Sequence, residues 1–185
     1  GVQIRELKLF SGGRNLLDGN NFKAFGLSTR LGDKERSDWT GIKWHFEEYM
    51  TYIKQMPDAK ALICVNAGTG NAKEAADWVY YANKVKGYNI KNWQIGNELD
   101  GEWEEAGPLS ARQYVVRYLE RAKAMKAVDS TIVLHGPVFS SYNVLQRGAG
   151  LSDGKYWLEE ALRLIGEAEK KDGKRYLDVV DFHMY

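Results

Sequence analysis

A single cysteine, Cys64, is present among 185 residues, so no disulfide framework can form within the chain. It lies in the apolar run ALICV, where a thiol behaves as a small buried hydrophobe. Charge of one sign is also lacking. The 26 basic and 25 acidic residues leave a formal net charge of +1, so no global field gathers nucleic acid or draws the chain to a membrane surface. The expected partners are neutral molecules. No apolar run approaches about 20 residues, and the opening GVQIREL has no basic segment leading into an apolar core. Neither a membrane span nor a leader is read in these residues, and the compartment is left open. A phosphate-cradling loop is wanting as well. The best candidate, Gly68-Thr69-Gly70-Asn71-Ala72-Lys73, has no third glycine at position 73 and lacks the Gly-Lys-Ser/Thr ending of a P-loop.

What is there suits a packed domain, with 44% hydrophobic and 28% charged residues. Short apolar runs recur at 7–10 (LKLF), 61–66 (ALICVN), 92–96 (NWQIG), 131–135 (TIVLH) and 177–185 (LDVVDFHMY). They are continuous rather than alternating, as in parallel strands covered on both faces. Helical stretches separate them, at roughly 43–56, 72–86, 110–127 and 154–170. In the third, Tyr114, Tyr118, Ala122 and Met125 form one stripe, with Arg117, Glu120, Arg121 and Lys123 turned away. Two helix starts carry capping-box pairs, Asn71 with Glu74 and Ser110 with Gln113.

A strand followed by four helix-strand pairs is the grammar of a parallel α/β sheet. Without a phosphate loop, the doubly wound nucleotide folds are the weaker reading. In a (β/α)₈ barrel the chemistry sits at the C-terminal strand ends, and there the polar residues Asn66, Asn97, Glu98, His135, His183 and Tyr185 line up. A barrel needs eight strands and typically about 250 residues. The expectation is therefore a partial (β/α)₈ TIM barrel, with about strands 2 to 6 of the barrel in residues 1–185. The remaining strands would come from the same longer protein or from another chain, because an open sheet leaves apolar edges unpaired.

One stretch carries chemistry: KNWQIGNELDGEWEEAG, residues 91–107, where an apolar strand ends on Asn97-Glu98. A partly buried carboxyl group can donate a proton to a glycosidic oxygen, an amide can bind a neighbouring hydroxyl, and an indole such as Trp103 offers a flat face to a sugar ring. Standing alone, an Asn-Glu pair is more often a turn former beside a solvated acid.

The run WQIGNELDGEWEEAG resembles the acid/base segment of the clan A (β/α)₈ retaining glycoside hydrolases, and most of all the family 51 α-L-arabinofuranosidases. SGG at 11–13, HFEEYM at 45–50, VNAGTGNAKEAADWVYYAN at 65–83, SARQYVVRYLERAKAMKAVDSTIVL at 110–134 and LDVVDFHMY at 177–185 resemble further segments of that family in the same order. The resemblance implies a plant-polysaccharide hydrolase with Glu98 as general acid/base, its protonated form favoured near neutral pH. It gives Asn97 a hydrogen bond to the sugar 2-hydroxyl, and places His183 and Tyr185 at the end of the sixth barrel strand. Trp103 becomes either a ring platform or a residue that packs its loop, and Asn66 either organises its loop or touches substrate. No cofactor and no metal is implied. The family's nucleophile, a glutamate on the seventh strand, would follow Tyr185. Arg14 stands where the arabinofuranosidases place a sugar-contacting asparagine, and Leu9 where they have an arginine, so specificity for a β-glucan or xyloglucan within the same clan stays open. A noncatalytic sugar-binding partial barrel is the reading from another class.

Overall fold

The computed structural model describes residues 10, 11, 14, 15, 46–140 and 157–183. Residues 7–9, 43–45, 154–156 and Tyr185, which the sequence assigns to elements or to the site, lie outside that set. The chain forms two compact units, Gly1–Ala61 and Leu62–Tyr185. In the first, β1 (Phe10–Ser11) pairs antiparallel with β2 (Arg14–Asn15). Phe10, expected at the end of a parallel strand, instead pairs antiparallel with Asn15. The helix α1 (Phe46–Ile53) buries Phe46 and Met50.

The second unit is a parallel four-stranded sheet in chain order, β3 (Leu62–Val65), β4 (Asn92–Ile95), β5 (Val133–Phe139) and β6 (Val179–Phe182). Helices α2 (Ala72–Val79), α3 (Ala111–Val128) and α4 (Trp157–Asp172) alternate with the strands, and α2 runs on into a π-helical stretch at Tyr80–Val85. This is the expected partial (β/α) barrel. Period-2 geometry divides each strand between two faces. Val65, Trp93, Ile95 and Leu134 are fully buried among the helices, and each aliphatic side chain so placed contributes about 1.5–3 kcal/mol.

Among the described residues the other face is open rather than covered. Leu62 is 43% and Val179 36% exposed. Cys64 is on that face too, exposed and not part of the core, paired in register with Gln94. Its Sγ still sits among sheet atoms, 3.3 Å from the Gly96 carbonyl. That desolvation, with the charge of Asp181 nearby, pushes the thiol up to about 12. Because the thiolate is the nucleophile, iodoacetamide at pH 8 should leave Cys64 unmodified in the folded protein and alkylate it in urea. Rapid labelling of the native protein would contradict this. The raised value also contributes stability that is complete below the unfolded thiol value near 9.0 and is lost as pH rises toward about 12.

Helix α3 begins with a reciprocal cap. The Ser110 N–H donates to Gln113 Oε1 at 2.9 Å and the Gln113 N–H to Ser110 Oγ at 3.3 Å. At α2, Asn71 Oδ1 accepts the Glu74 N–H at 2.9 Å. Tyr114, Tyr118, Ala122 and Met125 are buried as their spacing predicts, but Arg121 is buried beside them, not turned to solvent. Its guanidinium donates to the carbonyls of Asn66, Arg117 and Gly70, while Arg117 reaches those of Ala67 and Gly68. Two arginines of α3 thus bind the loop that follows β3 from beneath.

Candidate functional site

The strands are parallel, so their C-terminal ends share one edge of the sheet, and that edge is organised by the end of β5. His135, expected as a strand-terminal residue, lies in mid-strand because β5 continues to Phe139. The β5–β6 register shifts between Pro137 and Phe139. Within the shift Val138 adopts φ +55°, a left-handed conformation that costs a β-branched residue on the order of 1–3 kcal/mol. Irregular ladders of this kind re-aim groups near active sites. The Val138 carbonyl accepts the Glu98 N–H at 2.9 Å, and the Phe139 carbonyl accepts the His183 N–H at 2.8 Å. One residue further, the Ser140 N–H and hydroxyl donate to buried Asp100 at 3.1 and 2.7 Å. The end of β5 therefore holds the loop after β4 on one side and the end of β6 on the other.

Glu98 and His183 meet across this hub. Glu98 Oε1 and His183 Nδ1 are 2.5 Å apart, within hydrogen-bond distance. The Glu98 side chain is 13% exposed and that of His183 35%, so the pair is partly desolvated yet open to solvent. The second carboxylate oxygen, Oε2, accepts the indole N–H of Trp103 at 2.9 Å. Trp103 is 64% exposed and lies against Gly101, where a Cβ would come within 2.2 Å of the ring. A side chain at 101 would displace the ring. Backbone geometry on the approach is equally restrictive, since Gly96 has φ +84° and Glu98 itself φ +48°.

Asn97 turns its amide toward the same loop and donates to Glu104 Oε1 at 3.3 Å. Asn66 closes the loop after β3. Its Oδ1 accepts the N–H groups of Gly68 and Thr69 at 3.0 and 2.9 Å, and its Nδ2 donates to Thr69 Oγ1 at 3.0 Å. Those two N–H groups, the ones a phosphate loop would present, are already taken. The structure thus brings Glu98, His183 and Trp103 into contact and leaves Asn97 and Asn66 bonded within their own loops. Tyr185 falls outside the described residues. Below the edge, on the open face, Asp181, His135, Gln94 and Asn92 form a polar layer that the sequence reading did not single out as a unit. Asp181 Oδ2 accepts from Gln94 Nε2 at 3.1 Å and lies 3.9 Å from His135 Nδ1, and His135 Nε2 is 3.3 Å from Asn92 Oδ1. Period-2 spacing of Asn92 with Gln94, two residues before the Gly-Asn-Glu turn, was the available signal.

A carboxyl group in hydrogen-bond contact with an imidazole, beside an exposed indole, can deliver a proton to a bound ether oxygen and take one back from water. No group of three or more His, Cys, Asp or Glu side chains with metal-holding geometry occurs among the described residues.

Comparisons with known proteins bear on the fold and the family. Residues 67–185 match the family model of glycoside hydrolase family 44. The chain is 32% identical over 114 residues to a probable α-L-arabinofuranosidase C of Aspergillus fumigatus, over 52% of this chain and 22% of that protein. It is 25% identical to the solved family 51 α-L-arabinofuranosidase AbfB of Bifidobacterium longum, with a TM-score of 0.60 over 77% of this chain and 27% of that one. The family 44 endoglucanase Cel44A of Clostridium thermocellum shares the fold, with 23% identity and a TM-score of 0.53 over 60% of this chain and 25% of that one. The chain spans about a quarter of the length of such relatives.

Proposed function

The chain belongs to glycoside hydrolase family 44, and from that premise we propose that it is part of a retaining hydrolase of plant cell-wall polysaccharide in which Glu98 is the general acid/base. The fold is part of that of the (β/α)₈ glycoside hydrolases, shared with solved members of family 44 and family 51. One observation carries the reading: a carboxylate at the C-terminal edge of a parallel sheet, 2.5 Å from an imidazole. Glu98 protonates the glycosidic oxygen as the bond breaks. An opposing carboxylate, supplied from outside residues 1–185 and about 5–5.5 Å away, attacks the anomeric carbon. Glu98, now ionised, takes a proton from the water that releases the sugar. Asn97 bonds the 2-hydroxyl, and Trp103 presents its exposed face to a ring.

For the substrate, two readings divide the support. Identity of 32% to a probable α-L-arabinofuranosidase favours terminal arabinofuranosyl groups. The likeness to a solved family 44 endoglucanase and a solved family 44 xyloglucanase supports the backbone of a β-glucan or xyloglucan. A panel of polysaccharides given to the full-length enzyme separates them, because release of free arabinose from arabinan without loss of viscosity supports the first, and a rapid fall in the viscosity of xyloglucan or carboxymethylcellulose supports the second. Residues 1–185 expressed alone should hydrolyse no aryl glycoside, lacking the covalent route through a second carboxylate. Sugar binding without turnover by the full-length protein would favour the noncatalytic reading and defeat the proposal.

A further inference from the structure

We propose that Asp181 is a positioning residue for the Glu98–His183 pair, acting through the backbone of Val138. The inference rests on reading Glu98 as the acid/base and extends it to a group that touches no substrate. Where the β5–β6 ladder shifts register, the Val138 N–H finds its acceptor in a side chain, Asp181 Oδ1, at 3.1 Å. The carbonyl of the same residue accepts the Glu98 N–H at 2.9 Å, and the next carbonyl, that of Phe139, accepts the His183 N–H at 2.8 Å. Asp181 therefore holds from below the turn that fixes both members of the pair from above. Val138 stays left-handed, at φ +55°, only while its two polar groups are held in those directions, because a β-branched residue otherwise leaves that region.

The chemistry at this position calls for an acceptor. Asp181 Oδ2 receives the Gln94 amide at 3.1 Å and Oδ1 the Val138 N–H at 3.1 Å, so each carboxylate oxygen has a donor. Burial pushes its carboxyl above the usual range, and the bonds from Gln94 and Val138 pull the other way. Asparagine can keep an oxygen toward Val138 while Gln94 turns its amide to match, whereas alanine leaves the Val138 N–H without this acceptor. A shift of the Glu98 carboxyl by about 1 Å costs roughly 10²-fold where proton transfer is demanding. The same shift matters little where the leaving group departs unaided.

The test uses the full-length enzyme with two substrate classes, natural polysaccharide and aryl glycosides of acidic phenols. Asp181→Ala should lower kcat on polysaccharide by about 10–100-fold, with KM within about twofold, and should spare the glycosylation step on activated aryl glycosides. Asp181→Asn should recover most of the lost rate. Equal losses on both substrate classes, or an asparagine variant as impaired as alanine, would overturn the proposal. Glu98→Gln run in parallel separates two failures. If it shows leaving-group dependence and Asp181→Ala does not, the positioning role alone falls; if it shows none, the acid/base reading falls first. Should Asp181→Ala not fold, Gln94→Met loosens the carboxylate from its other side. A smaller loss with the same leaving-group dependence supports the proposal, and a uniform loss refutes it.

Discussion

Glu98→Gln is expected to reduce hydrolysis of natural polysaccharide by a factor on the order of 10²–10⁴. The amide is nearly isosteric and can still accept the Trp103 N–H that reaches Oε2 at 2.9 Å. What it loses is the carboxyl group's capacity to give up and take back a proton at the position 2.5 Å from His183. A sugar or polysaccharide leaving group is a poor one and needs that proton as the bond breaks. An acidic phenol needs far less, so the glycosylation step on activated aryl glycosides should change little. Its second step, in which Glu98 would deprotonate water, should then limit turnover. Added azide, a nucleophile that needs no base, should restore rate by forming the glycosyl azide. Glu102 and Glu105, both exposed on the loop after β4, should show none of this pattern when substituted. Equal, small losses on both substrate classes in Glu98→Gln would mean that the strand ends on this carboxylate for structural reasons.

The parts of the fold that were legible are those that local pattern encodes. Apolar runs located β3 and β4 to within a residue or two, and the Ser110–Gln113 pair marked the start of α3 because both halves of that cap lie three residues apart. Glu98 was readable from its place after WQIG and from the segments around it that resemble a known clan. The rest depends on partners distant in sequence. The apolar run at 131–135 stops at His135, yet β5 runs on through Pro137, which brings no N–H to a ladder, to Phe139 with a register shift. Asp181 reads as a polar interruption in VVDF, and its meaning lies 43 residues away at Val138. Arg121 falls on the polar side of a helical wheel, but the carbonyls of the loop after β3 are what it meets. Phe10, the last residue of an apolar run in the sequence, finds its partner in Asn15, in an antiparallel pair that the run itself does not encode.

Trp157→Ala should be the most damaging core substitution, at about 3–5 kcal/mol of unfolding free energy. Trp157 is 1% exposed at the start of α4. Its ring packs edge-on against Phe139 with centroids 4.7 Å apart and lies 5.3 Å from Tyr114. Its Nε1 donates to the Leu109 carbonyl at 2.9 Å. The Leu109 N–H in turn donates to the Leu99 carbonyl at 2.7 Å, which fastens the far end of the loop carrying Trp103 to the residue after Glu98. Tyr114 completes the circuit by donating to the Ile95 carbonyl at 2.8 Å, at the end of β4. A cavity at 157 therefore opens beneath Phe139, the residue whose carbonyl holds His183. Trp157→Phe keeps much of the ring packing and loses the indole N–H, leaving the Leu109 carbonyl without that donor; its expected cost is about 1–3 kcal/mol. Denaturant unfolding of the full-length enzyme and its two variants orders them as wild type, Phe, Ala. An alanine variant that loses less than about 1 kcal/mol, below the large-to-small range, would show that Trp157 does not pin the loop to the core.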